Sequence, residues 1–167
     1  MPSPSPFHTY RRSAWRLEIP QAFAIPREQE RLRAFRAGEP EPPHSDSYRE
    51  WFELTRSNVA SGKTMGRVRV VRRPLSEYVR FQFTWGIPNN ISAGEDIRIL
   101  DVTDLDLSLP DHDFWIFDEE SVLRMDFDKD GALTSQGILA GADLDQYREW
   151  KRMALAHSVP FEDYVRP

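Results

Sequence analysis

Apolar and polar positions alternate with a period of two along several stretches of the chain, the spacing of half-buried strands. Trp15, Leu17 and Ile19 alternate with Arg16 and Glu18, and Val68 and Val70 with Arg67 and Arg69 across a strand at 66–71. Ile97 to Val102 reads as a short, mostly buried strand. Asp113-Phe114-Trp115-Ile116-Phe117-Asp118 is an apolar run between carboxylates. A second run over 122–127 and an Asp130-Gly131 turn follow it, so consecutive antiparallel strands are predicted.

Helical spacing marks other segments. Leu32 and Phe35 lie three apart within Arg27 to Ala37, with Gly38 at the stop. A helix capped by Asp46 or Ser47 is expected to run to about Ala60, with Gly62 just beyond it. Asp143 is the predicted cap of a last helix reaching His157. Between Pro74 and Trp85 the two periods compete, because Val79, Phe81, Phe83 and Trp85 alternate while Pro74 followed by Glu77 resembles a helix start. A helix is favoured for the beginning of 75–85, and helix or strand stays open for its end. Glu39 to Ser47, Gly86 to Gly94 and Thr103 to Asp111 read as loops.

These elements predict an α+β fold, with a central, mainly antiparallel sheet and three to four flanking helices. Pro2, Pro4 and Pro6 make residues 1–13 a flexible tip that holds no regular helix, leaving 14–160 as a single domain. A chain of 167 residues is long enough for a real core, since domains of about 150 residues hide roughly 68–70% of their unfolded surface.

Composition removes some chemistry. The chain has no cysteine, so disulfides, thiolate metal sites and cysteine nucleophiles are excluded. With no secretory leader and no run of about 18 apolar residues, a cytoplasmic protein without membrane contact is expected. The basic residues are 19 Arg and 3 Lys. Residues 1–80 carry 15 basic and 9 acidic side chains and 81–167 carry 7 and 18, a polarised surface that steers oppositely charged partners, while the net charge of −5 makes direct binding to nucleic acid unfavourable.

Motif look-alikes fail on detail. Asp126, Asp128, Asp130 and Gly131 mimic the start of an EF-hand, but its twelfth position is Gly137. Gly62-Lys63-Thr64 lacks the glycine that a P-loop needs at Ser57. His8, His44, His112 and His157 show no metal-ligand spacing, so no metal and no cofactor are expected. His112 stands like the nucleophile of phospholipase D-like enzymes, yet Phe114 occupies the place of their lysine.

The polar cluster with most promise is Gly94-Glu95-Asp96-Ile97-Arg98. Its acid and guanidinium could meet Arg67, Arg69 or Asp113 from neighbouring strands, as a structural ion-pair network. The sharper reading is a small-ligand pocket lined by Trp85, Asn89, Asn90, Glu95 and Arg98, with Glu95, Arg98 and Asp113 as catalytic candidates.

Four segments in order, Ala14-Trp15-Arg16-Leu17-Glu18, Arg67-Val68-Arg69-Val70-Val71, Ala93-Gly94-Glu95-Asp96-Ile97-Arg98 and Asp113 to Asp118, resemble an actinobacterial family of unknown function. Its members are often encoded beside helix-turn-helix regulators. The resemblance implies an accessory role beside such a regulator. By position it carries over Arg16, Glu18, Arg69, Arg80, Asn90, Glu95, Arg98, Asp113 and Asp118, with Gln82 where members often have an acid. The leading expectation is a non-enzymatic regulatory or adaptor protein that binds a partner protein, with a small-ligand pocket in addition. The alternatives are a small enzyme of specialised metabolism using a carboxylate and an arginine, and a degenerate phospholipase D-like nucleic-acid-processing domain.

Overall fold

Strand alternation places every second side chain on one side of the sheet, and here both sides are covered. The computed structural model describes residues 5–167. Its strands are β1 (Ser13–Glu18), β2 (Thr64–Val71), β3 (Asp96–Asp101), β4 (Asp113–Phe117), β5 (Ser121–Phe127), β6 (Leu133–Ile138) and β7 (Val159–Pro160). They form one sheet in the order β6-β5-β4-β1-β2-β3-β7. β1, β2 and β3 run parallel, and the other four pairings are antiparallel. The fold is therefore α+β with a mixed, mostly antiparallel sheet whose centre is parallel.

Parallel neighbours need long crossovers, and helices supply them. α1 (Pro6–Thr9) precedes β1; α2 (Gln29–Arg36) and α3 (Asp46–Ala60) join β1 to β2. α4 (Glu77–Phe81), one π-helical turn over Gln82–Gly86 and α5 (Ile87–Ser92) join β2 to β3. α6 (Leu144–His157) and α7 (Phe161–Val165) complete the chain.

One sheet face packs Trp15, Leu17, Val68, Val70, Phe114 and Ile116 against Tyr147 and Ala154 of α6. The other face carries Ala14, Met65, Trp115 and Phe117 near α3 and Ile97 and Ile99 near α4 and α5. Between those apolar groups it also carries Arg16, Glu18, Arg67 and Arg69, which register places side by side: Arg16 beside Arg67 and Glu18 beside Arg69.

Three expectations need correction. The 74–94 stretch is helical almost throughout: Ser76 caps it, its Oγ accepting from Val79 N at 3.1 Å, and the expected loop at 86–94 contains α5. Pro88 is the second residue of α5, directly after the π-helical turn, so its missing N–H falls at that irregular junction rather than in a regular stretch of helix. Phe81 and Trp85, one helical turn apart, both pack on Phe35, a contact that strand geometry would forbid. The cap of α3 is Ser45, not Asp46 or Ser47, with its Oγ accepting from Tyr48 N at 3.4 Å. The tip read as 1–13 lies partly outside the described residues. Within them Pro6 opens a helical turn, and the Phe7 ring packs edge-on against Trp51, Trp115 and Phe117 with centroids 4.9–5.1 Å apart.

Candidate functional site: a buried charge cluster beside an open cleft

Three arginines and three carboxylates meet inside the protein on the α2–α5 side of the sheet. Arg16 Nη2 donates to Asp113 Oδ2 at 2.9 Å, from β1 to the adjoining end of β4. Glu18 sits among Arg16 at 3.6 Å, Arg67 at 3.2 Å and Arg69 at 3.4 Å. Arg67 Nε donates to Glu95 Oε1 at 2.7 Å, reaching the start of β3. Arg69, 0% exposed, gives its Nε proton to Gln82 Oε1 at 2.8 Å in the π-helical turn. The six charges balance, which burial at this depth demands.

Burial raises the pKa of Glu18, but Arg67, Arg16 and Arg69 outweigh it and hold the carboxyl at about 2. Burial pushes Asp113 up, and the Arg16 guanidinium offsets only part of that. Desolvation also lowers Arg69. Phe23, from the segment after β1, roofs the cluster, with the guanidinium carbons of Arg16 and Arg69 5.7 and 5.5 Å from its ring centre. Gly131 holds that segment in place: Ala24 N donates to Gly131 O at 2.9 Å, and a side chain at Gly131 would lie 2.3 Å from Ala22 O.

Asp113 also faces a cleft of about 390 Å³ lined by Ile19 to Ala22, Asp111 to Asp113 and Phe127 to Lys129 with Gly131. The cleft lies beyond the carboxyl end of β1, beside the start of the antiparallel β4. His112 is buried at its edge, with Nε2 2.8 Å from Tyr147 Oη and Nδ1 2.9 Å from Asp111 Oδ1. Phe114, at the position of the phospholipase D-like lysine, is wholly buried in the apolar core.

The five residues read as one pocket are in three places. Trp85 packs between Phe35 and Phe81 beneath Arg31, and Asn89 Nδ2 donates to Glu41 at 3.0 Å. The Asn90 main-chain oxygen accepts from Ala93 N and Glu95 N at the end of α5. Glu95 is paired with Arg67, as neighbouring strands allow. Arg98 lies opposite Val68 and so points to the other face, where it donates to Ser158 Oγ and O at 3.0 and 2.8 Å. Arg98 and Glu95 are separated by the sheet itself. Asp118, at φ 53°, accepts main-chain N–H groups of Arg11, Arg12 and Ser13 and anchors the start of β1.

The EF-hand look-alike is a hairpin turn. Asp126 holds Arg124, and Asp128 Oδ1 accepts from Asp130 N and Ala132 N. Among the described residues no group of three or more His, Asp or Glu side chains is arranged to hold a metal ion, and no helix is long and apolar enough to cross a membrane.

The two edges of the sheet differ. β7 has two residues and runs straight into α7, whereas β6 has six exposed residues, Leu-Thr-Ser-Gln-Gly-Ile, none charged. Register pairs Leu123 with Ile138 and, beyond a register shift after Asp126, Phe127 with Leu133, so an apolar pair stands at each end of β5 and β6. Leu133 and Ile138 are 45% and 53% exposed.

A family described as "Domain of unknown function (DUF6879)" matches residues 4–166. The chain belongs to this family. No curated protein matches the chain. Five of the nine polar positions that the resemblance picked out, Arg16, Glu18, Arg69, Glu95 and Asp113, lie together in the buried cluster. Arg67 completes it, and its alternation with Val68 and Arg69, which puts both arginines on one face, was the signal that could have added it to that set.

Proposed function

We propose that this protein is a non-enzymatic regulatory or adaptor domain that binds a partner protein through the open edge of its sheet. The β6 edge carries the reading. An exposed strand presents a row of unpaired N–H and C=O groups, and soluble proteins normally blunt such an edge with charge, proline, brevity or a covering element. The β7 edge has brevity; β6 has six exposed residues without charge or proline, and it adjoins apolar pairs with β5 at its two ends. Strand addition uses that combination, with main-chain bonds for affinity and side-chain pockets for choice of partner. A helix-turn-helix regulator is the partner to examine first, on the gene neighbourhood that the resemblance implies.

The test compares wild type with Thr134→Lys/Ile138→Lys, both sites being exposed and the charges being those that natural edges use. Affinity purification from the source organism followed by native mass spectrometry should give a complex with wild type and none with the variant. Amides 133–138 should slow in hydrogen exchange on binding. A complex that survives in the variant sinks the reading.

A second reading draws on Asp113: a small enzyme in which this carboxyl, raised by burial and facing the cleft, acts as acid or base beside Arg16. Turnover of a bound metabolite that disappears in Asp113→Asn, with the metabolite still retained, would favour it.

A further inference from the structure

We infer that the occupant of the β6 edge is an extended segment that adds antiparallel to β6 and carries basic residues at its own carboxyl end. The inference rests on the adaptor reading and names the chemistry of the partner. Residues 118–138 carry six carboxylates and two cations, while β6 itself carries no charge, so attraction comes from the ends of the groove. At the far end Glu119 pairs with Lys151 and Glu120 with Arg12, and along β5 Asp126 pairs with Arg124. At the hairpin tip Asp128, Lys129 and Asp130 leave one net negative charge; neither carboxylate has an ion-pair partner among the described residues, and Asp128 Oδ1 accepts the N–H groups of its own turn, which leaves Asp130 the freer of the two. The tip adjoins Leu133, the first residue of β6. An antiparallel strand brings its carboxyl end there, which puts cations of that end beside the two carboxylates.

The same geometry disfavours a second copy of this chain. Antiparallel pairing of β6 with itself would bring the residues after Ile138 to the tip. These are Leu139, Ala140, Gly141, Ala142 and Asp143, with no cation and one further carboxylate. Antiparallel addition also continues the direction of the β4–β5–β6 meander, in which bonds lie perpendicular to the strands.

The experiment uses three labelled eight-residue peptides of alternating valine and threonine: one ending in two arginines, one beginning with them, and one ending in two glutamates. Fluorescence anisotropy with the whole protein should show the first binding about ten-fold or more tighter than either other, a gap that narrows with added salt. Asp130→Asn should narrow the gap without abolishing binding, and Thr134→Lys/Ile138→Lys should abolish binding of all three. Equal affinity for the three peptides overturns the inference while leaving an edge-dependent partner complex, and with it the adaptor reading, intact. Tightest binding of the peptide that begins with arginine overturns the antiparallel direction. Undiminished peptide binding by the double variant overturns both.

Discussion

Arg16 and Asp113 join the parallel and antiparallel parts of the sheet through one buried ion pair, 2.9 Å long, between β1 and the start of β4. The pair is asymmetric. Asp113 is pushed toward its neutral form by burial and has Arg16 as its one ion-pair partner among the described residues, whereas Arg16 keeps a second carboxylate, Glu18, 3.6 Å away. Removing the arginine with Arg16→Met leaves a carboxylate buried without its partner and should cost about 3–5 kcal/mol at pH 7. Asp113→Asn keeps an oxygen for Ile19 N and should cost less. Urea denaturation of both variants checks the order, and the Arg16→Met deficit should shrink as pH falls and Asp113 protonates.

Glu18 sets the acid side of the stability curve. Its folded pKa of about 2 lies below its ordinary 4.5, so its contribution is full above pH 4.5 and is lost as pH falls toward 2. That contribution amounts to roughly 3 kcal/mol. Glu18→Gln should be less stable at pH 7 and show a flatter loss between pH 4.5 and 2, as measured by denaturation across that range.

Gln82 is the neutral partner of Arg69, which is fully buried. Gln82→Ala should leave the Arg69 Nε proton only Glu18 Oε1, 3.4 Å away, beside an Nη2 that already has no acceptor, at a cost of about 1–3 kcal/mol. Gln82→Glu, carrying the acid expected from the resemblance, should restore the bond. A denaturation midpoint for Gln82→Ala equal to wild type would contradict this account.

Gly131→Ala should displace the Phe23 roof. The added carbon would lie 2.3 Å from Ala22 O and 2.8 Å from Phe23 Cα, main-chain atoms that cannot rotate away, and φ is +84°. A loss of about 1–3 kcal/mol is expected, together with faster hydrogen exchange at Ala24.

Phe7→Ala should show that the amino-terminal turn belongs to the folded domain. Three aromatic rings surround Phe7, and its truncation should cost about 2–4 kcal/mol in thermal or chemical unfolding, at or just below the range for core phenylalanines because Phe7 is only partly buried. A change within about 0.5 kcal/mol would make the segment an ornament.

Much of the sheet was legible because alternation is local. Val68 and Val70 on one face and Arg67 and Arg69 on the other follow from side chains pointing to opposite sides at successive residues. The Asp113–Asp118 strand, the Asp130-Gly131 turn and the Asp143 cap were readable for the same reason. The 74–94 stretch was not. Its aromatic residues satisfy both periods, and the contacts that decide, Phe81 and Trp85 on Phe35 and Phe83 on Phe161, come from other parts of the chain.

Local pattern along the chain sufficed for the α+β class and for the faces of its strands. It did not determine who meets whom, because the order and register of strands depend on pairings between distant segments. Tertiary structure alone put Glu95 on Arg67, sent Arg98 through to Ser158 on the far face, and enclosed Glu18 among three guanidinium groups. It also left β6 unpaired at one edge while α7 follows the short β7 at the other. Which strand lies at an edge is a property of the whole sheet, and no period within a single strand records it.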